Sequence, residues 1–425
     1  MTKTLGDICS LQGGFAFKSK DFSNFGVPVI KIANVTGGTA MNYSAMQCVP
    51  NEVAAIANRF QSNPGDTLIS MTGANVGKIT RVWPNEPVAL INQRVGRFVP
   101  KQPEKFSQDF IHYVVLSHDS YEFFRNAAYG SAQPNISASL IESLPLPDTG
   151  LNKPNTIGAI FRSLDDKIEL NRKLAATLEE MARALYRSWF VDFDPVHARS
   201  QGRPPAHMDH ATAALFPDSF GDDGLPEGWL EKSVSEVAEF LNGAALQKFP
   251  PLAEEAGIPV IKIAQLRNGL SPDGPRASLA LPDKYKIHDG DVLFSWSGSL
   301  LQRIWTGGIG ALNQHLFKVS SSTVPKWFHF FAVDQHMIEF QAIAASKATT
   351  MGHIQRHHLD DAKVNVPTAP VMDAANQLIK PLFDRGFQLQ MENQTLATLR
   401  DTLLPRLMSG ELRVGDARDQ IKEVM

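Results

Sequence analysis

A ten-residue phrase, GVPVIKIANV from Gly26, returns almost unchanged as GIPVIKIAQL from Gly257. Repetition on this scale constrains a fold more than composition does, because each copy must close a similar core. Two further blocks keep the same order. PGDTLISMTG from Pro64 matches DGDVLFSWSG from Asp289, aligning Gly65-Asp66 with Gly290-Asp291, Ser70 with Ser295 and Gly73 with Gly298. INQRVGRF from Ile91 then matches LNQHLFKV from Leu312. The chain is read as a duplicated unit whose copies differ in loop length.

Within each copy, PVIKIANV and PVIKIAQL, and TLISM and VLFSW behind their Gly-Asp turns, have the β-branched content of strands. The segments FIHYVVLSHDSYEFFRNAA from Phe110 and WFHFFAVDQHMIEFQAIAA from Trp327 space their apolar residues as helices do. Each copy is therefore a mixed α and β domain, and the chain belongs to the α+β class.

A long amphipathic segment follows each copy: TIGAIFRSLDDKIELNRKLAATLEEMARALYRSWF from Thr156 and DAANQLIKPLFDRGFQLQMENQTLATLRDTLLPRLMSG from Asp373. They align Phe161 with Phe383, Asn171 with Asn393, Leu174 with Leu396 and Leu185 with Leu407. Leu382, Leu389, Leu396 and Leu403 recur every seven residues, with Ile379 and Leu407 on the neighbouring line. The corresponding lines in the first helix are Ile160, Lys167, Leu174 and Met181, joined by Ile157, Leu164, Leu178 and Leu185. A heptad seam buries itself against a partner helix. The expectation is an antiparallel coiled-coil pair that separates two domains related by a pseudo-twofold axis, with Asn171 facing Asn393 at its middle. Pro381 and Pro405 each remove an amide donor and are expected to kink or fray the second helix.

These boundaries follow: a first domain over 1–150, a first spacer helix over 151–190, a linker over 191–224, a second domain over 225–370, a second spacer helix over 371–412 and a tail over 413–425. The Pro-, Gly- and Asp-rich linker is expected to lie on the surface.

With Lys+Arg 41 against Asp+Glu 44, the chain has no overall basic character, so any nucleic-acid contact must be confined to local loops. Two cysteines, Cys9 and Cys48, supply neither a disulfide framework nor a zinc set and read as free thiols. No apolar run approaches the length of a membrane span, and no secretory leader is recognisable, which predicts a cytoplasmic protein.

Catalytic motifs are not found. GANVGK from Gly73 has its glycine one residue too close to Gly-Lys, and Ile79 stands where a phosphate loop needs Ser or Thr. Neither a dinucleotide-binding glycine motif nor the Pro-Pro-aromatic tetrapeptide of amino-methyltransferases is present. The chain is expected to be non-catalytic and to hold no cofactor or metal. His357-His358 with Asp360-Asp361 reads as a helix start or a solvated turn.

The order of these parts, with SWFVDFDPV (Ser188 to Val196), LPEGW (Leu225 to Trp229), the duplicated Gly-Asp and Asn-Gln blocks and a closing LLPRLMSGEL, resembles the specificity subunits of type I restriction-modification systems. The resemblance spans essentially the whole chain. It implies two target-recognition domains that each read one half of a bipartite site in double-stranded DNA. It also implies paired helices that set the spacer and dock two methyltransferase subunits. S-adenosylmethionine would serve those partners, and ATP with magnesium would serve restriction or motor subunits where these join. A coiled-coil adaptor that binds only proteins stays open as the alternative.

Polar loops leaving the strands supply the candidate DNA contacts: Lys31, Asn34, Thr72, Asn75, Lys78, Gln93, Arg94, Gln133 and Asn135 in the first copy, and Lys262, Gln265, Arg267, Ser297, Ser299, Gln302, Arg303, Gln314, His315, His353 and Gln355 in the second. Arg suits guanine O6 and N7, whereas Asn and Gln suit adenine. Asn92-Gln93 and Asn313-Gln314 recur in both copies and favour a structural turn, since a base reader should vary. Helix pairing is assigned to Asn171, Leu174, Leu178, Met181, Leu185, Leu389, Asn393, Leu396, Leu403 and Leu407.

Overall fold

A computed structural model describes residues 3–37, 41–43, 46–128, 134–146, 153–271, 273–346 and 352–424. The chain divides into two compact units, Met1–Glu169 with Thr395–Met425, and Leu170–Gln394.

In the first unit the strands are β1 (Cys9–Gly13), β2 (Val27–Ile30), β3 (Gln47–Val49), β4 (Thr67–Ser70), β5 (Ile79–Arg81), β6 (Leu90–Ile91) and β7 (Val95–Pro100). They form one sheet of order β1-β7-β4-β5 and a second of order β3-β2-β6. The second unit holds β8 (Leu230–Ser233), β9 (Glu239–Asn242), β10 (Ile258–Ile261), β11 (Arg276–Ala277), β12 (Lys286–Ile287), β13 (Val292–Ser295), β14 (Gln302–Ile304), β15 (Gly310–Leu312), β16 (Leu316–Ser320) and β17 (Lys363–Val366). Its orders are β14-β13-β16-β9, β11-β10-β15-β12 and β17-β8. Read from the other edge, β9-β16-β13-β14 repeats β1-β7-β4-β5 strand for strand. The parallel pair β2 with β6 likewise returns as β10 with β15.

The repeated words have structural causes. Gly65 and Gly290 turn with φ of 90° and 89°, a region that glycine enters without steric cost. Asp66 accepts the Asn63 amide at 2.8 Å and pairs with Arg97 at 3.2 Å. Asp291 does the same with His288 at 2.9 Å and Lys318 at 2.7 Å. The Gly-Asp word therefore closes a turn and ties it to the neighbouring strand.

The first long helix runs Pro154–Phe190 and the second Ala369–Met408, about 55 and 60 Å at 1.5 Å per residue. The second is unbroken through Pro381 and Pro405, both of which face solvent. In the second unit the helices run antiparallel: the Ala175 carbonyl lies 3.7 Å from where a Cβ on Gly386 would stand, while Ala182 and Tyr186 share a core with Ile379 and Phe383. In the first unit Ile157 and Leu164 share a core with Leu396, Leu403 and Leu407.

The seam of the second helix falls where expected, with Leu389, Leu396, Leu403 and Leu407 at most 2% exposed. The first helix requires a correction. Leu174 and Met181 are 42% and 50% exposed, and the line beside Asn171, Leu178 and Leu185 is Phe161, Ile168, Ala175, Ala182 and Trp189. Ala175 facing Gly386 permits close approach of the backbones, so the helix presents that face and turns Leu174 and Met181 outward. Asn171 is buried on the seam.

One further expectation changes. The segment taken as a surface linker contains helices Asp194–Ser200 and His210–Ala213 and buries Val196 and Phe216 in the second unit's core. Arg199 donates to the Ala213 and Phe216 carbonyls, and Phe193, Phe220 and Trp229 stack edge to face around the turn. Contacts of widely spaced aromatics, rather than periodicity, hold this segment. The tail, for which the sequence suggested no structure, forms a helix, Val414–Val424, with Ala417 and Ile421 in the first unit's core. His357-His358 does open a helix, Arg356–Asp361.

Candidate nucleic-acid interface

Three loops meet in each unit, and their backbones are held by the same bonds. In the Asn-Gln loop, Phe15 donates to Ile91 O at 2.8 Å, Gln93 to Phe15 O at 2.9 Å and Asn92 to Ile30 O at 3.0 Å. Ala244 donates to Leu312 O at 2.9 Å, Gln314 to Ala244 O at 3.0 Å and Asn313 to Ile261 O at 3.3 Å. Gly14 and Gly243 permit the approach, since a Cβ on either would stand 2.2 Å from a carbonyl oxygen, of Ile91 and Asn313 respectively. The side chains of Asn92 and Asn313 accept the amides of Arg94 at 3.3 Å and His315 at 3.2 Å. Asn92 and Asn313 thus shape the loop, as their recurrence implies.

The second and third loops join beside the first. Gly73 donates to Pro134 O at 2.9 Å and Ile136 to Met71 O at 3.0 Å, matched by Gly298 to Gly352 O at 2.8 Å and Ile354 to Trp296 O at 3.0 Å. Thr72 faces Asn135 and Ser297 faces His353 in isolated bridges.

Side chains diverge on this common backbone. Gln93, Arg94 and Asn135 are exposed in the first unit, with Thr72 half-buried. In the second, the Ser297 hydroxyl lies 3.0 Å from His315 Nδ1, Gln314 Nε2 lies 3.4 Å from His315 Nε2, and Trp296 packs against the rings of His315 and His353 at 5.8 and 6.3 Å. Trp296, which also donates to Gln314 O at 3.2 Å, escaped the sequence reading because one aromatic at a strand end looks like core.

Other candidates are placed differently. Asn34 is 4% exposed and spends its amide on the Lys31 amide and the Asn42 carbonyl. Asn75 donates to Ile32 O at 2.9 Å and accepts from Lys78 at 3.0 Å, so both brace a loop. Lys31 bonds Gln47 and lies 3.7 Å over the Phe22 ring. Gln302 turns inward to Phe330 O at 3.2 Å, and Gln265 accepts the Lys262 amide at 3.3 Å. Lys262, Arg267, Ser299 and Arg303 are exposed, and Gln355 is exposed where it precedes the 356–361 helix. Gln133 lies outside the described residues. Arg356, not singled out in the sequence, lies over Phe317 at 5.6 Å and donates to Phe240 O.

The family model described as "Type I restriction modification DNA specificity domain" matches residues 1–180 and 226–390. The type I restriction enzyme MjaIX specificity subunit of Methanocaldococcus jannaschii is 22% identical over 422 residues, covering 97% of this chain and 93% of its own length. The HindI specificity subunit of Haemophilus influenzae is 24% identical over 355 residues, covering 72% and 77%. Among solved structures, a type I restriction-modification S subunit from M. genitalium shares the fold with a TM-score of 0.51 at 15% identity, covering 96% of this chain and 95% of that one.

Proposed function

From its membership of the type I restriction-modification DNA specificity family, we propose that this chain is the reading subunit of a larger complex, each unit recognising one half of a bipartite site in double-stranded DNA. The observation that carries this reading is the pair of loop sites with matching backbone bonds and different side chains. A duplicated scaffold of that kind presents two different half-site readers in one chain, as dimeric readers do with two identical ones. The chain itself supplies no bond-making chemistry. Methyltransferase subunits using S-adenosylmethionine modify adenine, and motor subunits using ATP and magnesium extend the complex to cleavage.

The long helices set the number of unread base pairs and dock the partners. Leu170, Leu174 and Met181 support the docking part, since they expose 61%, 42% and 50% of their surface along one stretch of the first long helix. Apolar side chains grouped in this way mark a surface that a partner covers.

Mapping of methylated adenines in cells expressing the chain with its methyltransferase subunits tests the proposal. The expected result is one bipartite motif with a fixed gap. Methylation without such a motif, or methylation by the purified chain alone, overturns it. Adding one heptad to each long helix should widen the gap by about three base pairs, from about 10.5 Å of added helix at 3.4 Å per pair.

A further inference from the structure

Resting on that reading, we infer that the residue directly after each Asn-Gln pair, Arg94 in the first unit and His315 in the second, discriminates the base pair at one equivalent position of each half-site. The loop geometry sets these two positions apart from the other candidates. Asn92 and Asn313 hold the loop through the amides of Arg94 and His315, so the backbone delivers both side chains from equivalent bonds. The Asn-Gln pair before them is constant, while the delivered side chain changes from a guanidinium to an imidazole.

The two sites offer different chemistry to a base edge. Arg94 is exposed and brings a fork of N–H donors, which fits the paired acceptors O6 and N7 of guanine in the major groove. His315 is half-buried: Ser297 engages Nδ1 at 3.0 Å and Trp296 packs against the ring. Its Nε2 lies 3.4 Å from the side-chain amide of Gln314, a long contact that gathers the two polar groups at one edge. The first unit thus makes a two-point contact from one side chain. The second makes a contact shared between two residues, which Ser297 orients.

The test uses the full chain assembled with its methyltransferase subunits, offered a randomised duplex library, with enriched sequences read for wild type, Arg94→Ala, His315→Arg and His315→Gln. Arg94→Ala should flatten base preference at one position of one half-site, by roughly 5- to 150-fold in relative affinity, and leave the other half-site unchanged. His315→Arg should shift preference toward guanine at one position of the other half-site, and His315→Gln should alter that same position. Variants that melt like wild type yet enrich the wild-type motif, or that change both half-sites, overturn the inference. A wild-type complex that enriches no motif instead removes the reading beneath it.

Discussion

The two units solve the same packing problem with opposite chemistry. In the first, Asp165 is 4% exposed and accepts from Tyr113 at 2.6 Å and from Arg400 at 2.8 Å. Beside it Arg81, 1% exposed, pairs with Asp109 at 3.0 Å and lies over the Tyr113 ring. Burial, and then the Asp165 charge, pushes the Tyr113 hydroxyl far above the ordinary tyrosine range, so it stays a donor. By the internal alignment the matching residues of the second unit are Phe330 for Tyr113, Phe387 for Asp165, Leu178 for Arg400 and Ile304 for Arg81. Phe330 there meets Phe383 edge to face at 5.3 Å. The fold tolerates either interior because a paired ion network and a packed aromatic cluster can be nearly equal in free energy.

The largest effect should come from breaking the polar version. Asp165→Ala leaves the Tyr113 hydroxyl without its acceptor and the buried Arg400 with only the more exposed Asp401, and should cost about 3 kcal/mol by urea unfolding. Converting Tyr113, Asp165 and Arg400 together to Phe, Phe and Leu imports the second unit's solution and should recover most of that loss. A triple variant as unstable as Asp165→Ala would show that the interiors are not interchangeable.

Next in size is the helix seam, where equivalent residues part company. Leu403→Ala empties a fully buried site and should cost about 2–5 kcal/mol. Met181→Ala, at the equivalent place in the first helix, should stay within about 0.5 kcal/mol. Thermal melts of the two variants would decide; equal losses would restore the seam that repetition suggests.

Smaller effects at neutral pH than that of Leu403→Ala concern a histidine that recurs in both units. Burial, and then the charge of Arg81, holds His112 well below the usual imidazole range, while burial and then Lys326 lower His329 to about 4. An unfolded imidazole takes up a proton below about pH 6.5, so the stability due to neutral His329 is complete above that pH. It falls as pH drops through the window from 6.5 to about 4, by at most about 1.4 kcal/mol per pH unit. His329→Phe should abolish this acid loss while changing neutral stability little, because His329 Nδ1 has no hydrogen-bond partner among the described residues. His112→Phe should cost about 1 kcal/mol at pH 7, since Thr67 loses its 3.2 Å partner. Melting curves at pH 5 and 7 separate the two; a similar acid slope in His329→Phe and wild type would count against buried neutral imidazole.

Much of the scaffold was legible because its words answer to backbone requirements. Gly65-Asp66 and Asn92 return as Gly290-Asp291 and Asn313 because the turn, the ion pair and the loop need those atoms in both copies. The candidate loops were legible as loops: Gln93 and Arg94 in the first unit, and Ser297, Gln314 and His315 in the second, fall in them as polar residues beside strand ends. What failed was the sorting of polar side chains by direction. Asn34, Asn75 and Gln302 look like their exposed neighbours in sequence, yet their amides are claimed by carbonyls up to 43 residues away.

By itself the sequence determined the duplication, two strands in each copy and the two long helices, since these rest on local periodicity and repeated spacing, while its motifs carried the family resemblance. Only the tertiary structure decided which face of the first long helix is buried, that the presumed linker and tail pack into cores, and that Asp165, Tyr113 and Arg400 form one network. Those outcomes depend on contacts between residues up to 235 apart, and on whether small side chains such as Ala175 and Gly386 let two backbones approach. Periodicity records which residues are apolar, but the closeness of packing chooses among the apolar faces.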